Sequence, residues 1–301
     1  VIVFVVGVIR RVMGWARSAV PFAIPTTGGQ RRSMPWIQQS KIDKCVFYHG
    51  CAMYVLYMDD SILAGPYEKE LDDIMAKMKR AELTILVDGD ITDFLGVHVE
   101  CKSNGMVHLT QPLLIDCILN DLQLTQTNVT TRDKPAKSGQ LLHRDLNQDD
   151  FDVHFDYRSI MGKLNYLEKS TQPDISFAIH QCAHFVADPK REHGKALNWL
   201  GRYLIATHDH GLIYHPTTAG LHCYVDADFT SNWDKEFSIN DPDTAHLRTG
   251  FIATFVGCPI LWASKLQMMI SLSMTEAEYV ALSSALHDII PMLGLMNEFK
   301  E

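Results

Sequence analysis

Two sets of carboxylates stand out by their neighbours. Asp59 and Asp60 are adjacent, entered by the apolar, β-prone run Cys51 to Met58 and left by Ser61-Ile62-Leu63-Ala64-Gly65. That pattern predicts a hairpin with acidic groups at its tip, and His49-Gly50 predicts a turn from the run before it. Two carboxylates so close raise each other's pKa unless a cation lies between them. A hard divalent ion such as Mg²⁺ takes oxygen ligands and keeps room for waters and phosphates, so the pair suits nucleotidyl transfer on paired metals. An Asp-Asp pair also suits a solvated turn; the apolar frame on both sides is what favours the chemical reading.

The second set lies far along the chain. Asp226 and Asp228 are two residues apart in the run Leu221 to Phe229, so alternation puts them on one face of a strand. A helix is predicted from about Ser273. Ser273-x-x-Glu276 and Thr275-x-x-Glu278 both fit a capping box. Glu278 shares helical spacing with Ala281, Leu282 and Ala285, which predicts an inward aim toward the sheet, whereas Glu276 is assigned as the cap. Asp226 and Glu278 are therefore the expected metal ligands, with Asp228 a further candidate.

Other elements must hold these groups in place. Leu71, Ile74, Met75 and Met78 fall at i, i+3, i+4 and i+7 and predict a helix after Pro66 with a core-facing stripe. Lys77, Lys79 and Arg80 lie off that stripe, where they could touch a nucleic-acid backbone or form a solvated face. Leu83 to Val87, Phe94 to Glu100 and Met106 to Leu109 read as strands, the last two turning across Ser103-Asn104-Gly105. Leu114, Ile118 and Leu122 predict a helix beyond Pro112. Between Thr125 and Asp150 the period disappears and polar residues dominate, which predicts a linker. Ala196, Trp199, Leu200, Tyr203 and Leu204 then give one apolar helix face closed by Gly211. Leu212 to His215 and Leu221 to Phe229 are expected to pair as a hairpin, followed by strands Phe251 to Val256 and Ile260 to Ser264 around Gly257-Cys258-Pro259.

The motifs taken together resemble the reverse transcriptase and ribonuclease H region of copia-type long-terminal-repeat retrotransposons. The resemblance is carried by Tyr57-Met58-Asp59-Asp60 with its flanks, Phe94-Leu95-Gly96-Val97, Tyr157 to Leu167, Pro173 to Ala178, Tyr224 to Phe229, Trp262-Ala263-Ser264-Lys265 and Ser273 to Leu282. Met58 departs from the Val of most members. The resemblance implies Mg²⁺ or Mn²⁺ at Asp59 and Asp60 for RNA-directed DNA synthesis, and at Asp226 and Glu278 for RNA cleavage. It implies an RNA template with a DNA primer, or an RNA/DNA hybrid, as partners, contacted by Tyr57, Met58, Lys77, Lys79, Arg80 and Lys265. The expected fold is α+β: an unassigned segment 1–36, part of a palm over 37–124, a linker over 125–150, a helical connection over 151–216 and the first half of a ribonuclease H-like domain over 217–301.

That family's polymerase carries its first catalytic aspartate on a strand before the hairpin, yet Asp43 is the one acidic residue before Asp59, in a setting that matches the pre-hairpin segment. After Glu278 only Asp288, Glu298 and Glu301 remain, on the same helix or at its expected frayed end. Both sites are thus expected to lack donors and the chain to be a weakly active or inactive fragment; the alternative is a non-catalytic protein that binds nucleic acid or a partner.

Composition narrows the remaining classes. A chain of 301 residues, 47% hydrophobic and 21% charged, is long and apolar enough to build sizeable cores. A net charge of −9 argues against a generally basic nucleic-acid coat, although residues 1–44 hold seven basic side chains against one acidic. Seven scattered cysteines without Cys-x-x-Cys predict free thiols in a reducing compartment, hence an intracellular protein, cytoplasmic or nuclear. Val1 to Ile9 is too short to span a bilayer and lacks the preceding charges of a signal peptide, so no membrane is expected. His180, Cys182 and His184 are read as polar positions on a packed helix, and His208-Asp209 as compensation for a helix dipole.

Overall fold

The computed structural model describes residues 4–11, 24–25, 31–32, 36–57, 60–80, 85–87, 91–125, 129–139, 141–144, 149, 151, 155–218, 220–228, 241 and 246–299. Helices and antiparallel sheets are mixed, as the α+β expectation required. The chain divides into two compact units, residues 1–94 with 290–301, and residues 95–289.

In the first unit a six-stranded antiparallel sheet runs in the order β4-β5-β6-β7-β1-β8. Its strands are β1 (Phe4–Arg11), β4 (Gln38–Gln39), β5 (Val46–His49), β6 (Ala52–Tyr57), β7 (Asp60–Gly65) and β8 (Ile85–Val87). The short β2 (Ile24–Pro25) and β3 (Arg31–Arg32) pair only with each other, and β9 (Asp93–Phe94) closes this stretch of chain. Helix α1 (Glu68–Arg80) packs its stripe as the spacing predicts: Leu71, Ile74 and Met78 are buried with Phe47, Ala52, Tyr54 and Leu63. Gly50 makes the β5–β6 turn at φ +58, and a Cβ there would lie 2.0 Å from Glu70 Oε1, so a larger residue would be strained and would have to displace that carboxylate.

Glu298 belongs to this unit and is held rather than frayed. Ser40 Oγ donates to its Oε2 at 2.6 Å and the Lys41 amide to its Oε1 at 3.0 Å. The Ser40 hydroxyl, more than any other contact, keeps that carboxyl below its usual pKa.

The second unit is built on a helical core. Helices α2 (Pro112–Asp121), α3 (Tyr157–Ser170), α4 (Ser176–Ala183), entered through a 3₁₀ turn at Pro173–Ile175, and α5 (Arg191–Ala206) bury Ile115, Ile118, Ile160, Leu164, Leu167, Ile179, Leu197 and Leu200 against one another. The Tyr157 hydroxyl donates to the Cys182 carbonyl at 2.9 Å and ties α3 to α4. Burial raises both side chains' pKa, the Cys182 thiol to about 12, so it stays protonated at neutral pH. The described residues of segment 125–150 lie on this core, where Val129, Ala136 and Leu142 pack against it. The two compact units divide between Phe94 and Leu95, and between Ile289 and Ile290.

Strands β10 (Val97–Cys101) and β11 (Val107–Thr110) form the expected hairpin, with Gly105 at φ +80. Their neighbour corrects the sequence reading. Strand β12 (Leu212–Tyr214) pairs antiparallel with β11, Leu212 opposite Leu109, and not with the strand that follows it. The preceding Gly211 permits this approach, because a Cβ there would sit 2.0 Å from the Leu109 carbonyl oxygen. A separate sheet runs β13 (Leu221–Asp228), β14 (Arg248–Phe255), β15 (Cys258–Leu266). The β14–β15 turn falls on Val256 and Gly257, both at positive φ, one step before the expected Gly-Cys-Pro; the twist of a two-residue hairpin favours that geometry.

Helix α6 (Met274–Glu298) lays Ala277, Ala281, Ala285 and Ile289 against this sheet. One described helix is thus long and apolar enough to cross a membrane by composition, at a mean hydropathy of 1.3, and it is this one.

Candidate functional site

Around the first carboxylates, β6 and β7 pair with Tyr57 opposite Asp60, so residues 58 and 59 are the connection. Met58 and Asp59 lie outside the described residues. Ser61 and Leu63 turn into the core beside α1, and the alternation places half-buried Asp60 on the other face of the sheet. Strand β1 lies next to β7, with Arg10 at the register position opposite Asp60. Its sequence, Phe-Val-Val-Gly-Val-Ile-Arg-Arg, contains no acidic residue. The strand beside the hairpin therefore brings no carboxylate to it.

The basic residues of α1 separate. Lys77 is occupied within the unit, with Asp73 at 3.1 Å, His49 Nε2 at 3.3 Å and the Trp36 ring centroid at 5.9 Å. Lys79 and Arg80 are exposed, as is Tyr57 at 54%. Of the expected nucleic-acid contacts in this unit, these three face solvent.

Around the second set the helix is rotated relative to the sequence reading. The buried stripe begins at Ala277, one position before Glu278, and Glu278 is exposed. Alanines at i, i+4 and i+8 let the helix approach the sheet closely, which a glutamate at the same depth could not. Glu276 accepts from the Leu272 amide at 2.8 Å, and the Glu276 amide donates to Ser273 Oγ at 3.2 Å, so it caps as assigned. On β13, Val225 and Ala227 face α6, with Ala227 packed among Ala277, Ala281 and Leu247. Alternation then places exposed Asp226, and Asp228, on the opposite face. Strand and helix do not aim Asp226 and Glu278 at one point, and among the described residues no cluster of three His, Cys, Asp or Glu side chains is close enough to hold an ion.

That opposite face holds a buried cation. Arg248, across the β13–β14 ladder from Asp228, is buried, with its guanidinium 4.8 Å from the Phe177 ring centroid and Nη1 donating to Ser264 Oγ at 3.3 Å. Burial lowers its pKa to about 10, opposed by Asp228. His180 is driven to about 4 by burial first, then by Lys169, Arg248, His184 and Lys265. Lys265, paired with Thr249 in the β14–β15 ladder, is one step out of alternation with Arg248 and falls on the other sheet face. The loop before Arg248 falls largely outside the described residues; Asp241 within it is buried and accepts from the Arg144 amide at 2.7 Å.

No family model matches the chain, and no solved structure matches it. Among curated proteins it is 29% identical over 246 residues to the retrovirus-related Pol polyprotein from transposon RE1 of Arabidopsis thaliana, and 30% identical over 247 residues to that from transposon RE2 of the same plant. Each match takes in 81% of this chain and 16% of the relative, so the chain spans about a sixth of the length of these proteins. A shorter match, 54% identical over 44 residues and 13% of the relative, is to an Hdr-like menaquinol oxidoreductase cytochrome b-like subunit of Archaeoglobus fulgidus. By these longer matches the molecule is of the retroelement polyprotein class. The chain belongs, within it, to the copia-type retrotransposon Pol polyproteins.

Proposed function

We propose that this chain is a piece of the RNA-directed DNA polymerase and ribonuclease H region of such a polyprotein, and that by itself it neither extends a primer nor cleaves an RNA/DNA hybrid at a measurable rate. In this reading the first unit derives from the palm, the helices from the connection, and β13 to α6 from a ribonuclease H-like fold. One observation carries the inactivity: among the described residues, neither carboxylate set meets a partner set. Arg10, not an acid, holds the register position opposite Asp60, and Asp226 lies on the sheet face turned away from α6 and Glu278.

Mg²⁺ or Mn²⁺, implied by the resemblance, would be held by Asp59 and Asp60 at one site and by Asp226 and Glu278 at the other. Such ions stabilise charge on the attacking and leaving oxygens. The described donors do not fit an ion that needs several oxygens around it, so metal binding is expected to be weak at both. Loss of one such stabilising interaction costs about 100-fold or more in rate.

The test is extension of a DNA primer on an RNA template with Mg²⁺ or Mn²⁺, comparing the chain with Asp59→Asn/Asp60→Asn. No product from either protein is the expected result. Product from the unaltered chain, lost in the double variant, would overturn the proposal.

A second reading, non-catalytic binding of template, primer or hybrid, is favoured by the exposure of Tyr57, Lys79 and Arg80. It predicts salt-dependent binding that survives Asp59→Asn.

A further inference from the structure

The segment read as a linker, together with α4 and α5, encloses a cavity of about 200 Å³ that none of the motifs above accounts for. Its walls are apolar: Pro135, Leu142, Ala178, Ala196 and the Trp199 ring. Lys137 and Lys195, both exposed, stand at its edge. The Trp199 ring is fixed on two sides. Its Nε1 donates to the Lys134 carbonyl at 3.0 Å, and the Arg132 guanidinium lies 4.1 Å from its centroid. Arg132 is in turn anchored by its amide, which donates to the Arg202 carbonyl at 3.2 Å. Two cations, Lys137 and Lys195, thus line one aromatic cleft together with Glu192, which pairs with Lys195 at 2.5 Å, and Arg132 braces the aromatic ring from outside the lining.

On a chain of net charge −9 such a local excess of positive charge has to be held against the general trend. An apolar cleft with a rigid aromatic wall accepts a planar ring. Flexible cations at the edge suit a phosphodiester, which is the arrangement by which proteins hold single strands without reading their sequence. A purely apolar ligand would leave the lysines without purpose, and a peptide carboxylate would leave the aromatic cleft unused.

We propose that this cavity is a base-binding site for single-stranded nucleic acid: one base enters against the Trp199 ring, which Arg132 braces, and the flanking phosphates lie on Lys137 and Lys195. The proposal rests on the reading of the chain as one that engages nucleic acid, and it adds a site in the second unit, apart from the motif residues. The shared chemistry is a nucleobase with its phosphate, which a strand or a free mononucleotide could supply.

The experiment is fluorescence anisotropy of a labelled twelve-residue oligo-dT with the whole chain, titrated at several salt concentrations. Three variants are compared, each checked for an unchanged circular dichroism spectrum: Lys137→Glu/Lys195→Glu, Trp199→Leu, and Lys79→Glu/Arg80→Glu. The expected result is binding weakened at least tenfold by Lys137→Glu/Lys195→Glu, with a shallower salt slope, and weakened by Trp199→Leu with the slope unchanged. Because Lys137 and Lys195 are exposed, that variant still tests the site if Trp199→Leu fails to fold. Competition by dTMP as effective, per molecule, as by the oligonucleotide assigns the site to a free nucleotide; weak competition assigns it to a strand. Binding that both cavity variants retain and that Lys79→Glu/Arg80→Glu abolishes overturns the cavity while leaving nucleic-acid engagement standing. No binding of the oligonucleotide or of dTMP overturns both.

Discussion

Two apolar regions of the second unit use similar residues to opposite effect. In the helical core, α2 to α5 enclose their leucines and isoleucines: Leu164, Leu167, Ile175 and Leu197 are at most 1% exposed. Around α6 the contact with the sheet is made by alanines, and the larger side chains look outward. Met268, Leu272 and Met274 before the stripe, then Leu282 and Leu286 along it, are all exposed by 40% or more. Apolar content alone therefore does not locate a core. What decides is whether a second surface closes over the stripe, and the helical core has one on every side.

The contrast can be broken most forcefully at Leu164. Leu164→Ala leaves a cavity among fully enclosed neighbours and is expected to cost about 2–5 kcal/mol, read as a lowered urea midpoint for the loss of helical signal. Gly201→Ala comes next. A Cβ there would meet Leu122 and Leu124 side chains at 2.6 and 2.5 Å, so overpacking is expected to cost about 1–3 kcal/mol; an unchanged midpoint would mean that α2 can move away from α5. The smallest effect belongs to the other region. Leu286→Ser on the exposed flank of α6 is expected to shift stability within about 0.5 kcal/mol, while light scattering of the concentrated protein falls because the apolar patch is reduced. A large loss of stability from Leu286→Ser would erase the distinction between the two regions.

The same difference explains what could be read in advance. Local periodicity made α1 legible, and Leu71, Ile74 and Met78 are its buried stripe. Local chemistry also made the Ser273–Glu276 cap legible. Choices between distant partners were not. Nothing in the run Leu212 to Tyr214 states that it prefers β11 over the strand nearest in sequence; the close approach at Gly211 decides it. Glu278 was read one position out of register because leucine and alanine were given equal weight as core formers, whereas the sheet accepts the alanine column and leaves Leu282 outside. Trp199 was legible as apolar, but its stacking with Arg132 joins residues 67 apart and required the fold.

The hold of Ser40 and Lys41 on Glu298 spans 258 residues of sequence. On a ribosome adding about 5–20 residues per second, the first unit's sheet would be made on the order of 10 to 50 s before the residues that complete it. The helical core, complete in sequence by Ala206, can close during that wait. The order of translation thus favours a second unit that folds first and a first unit whose edge stays open longest, and that edge is where a chaperone or a neighbouring nascent chain would find it.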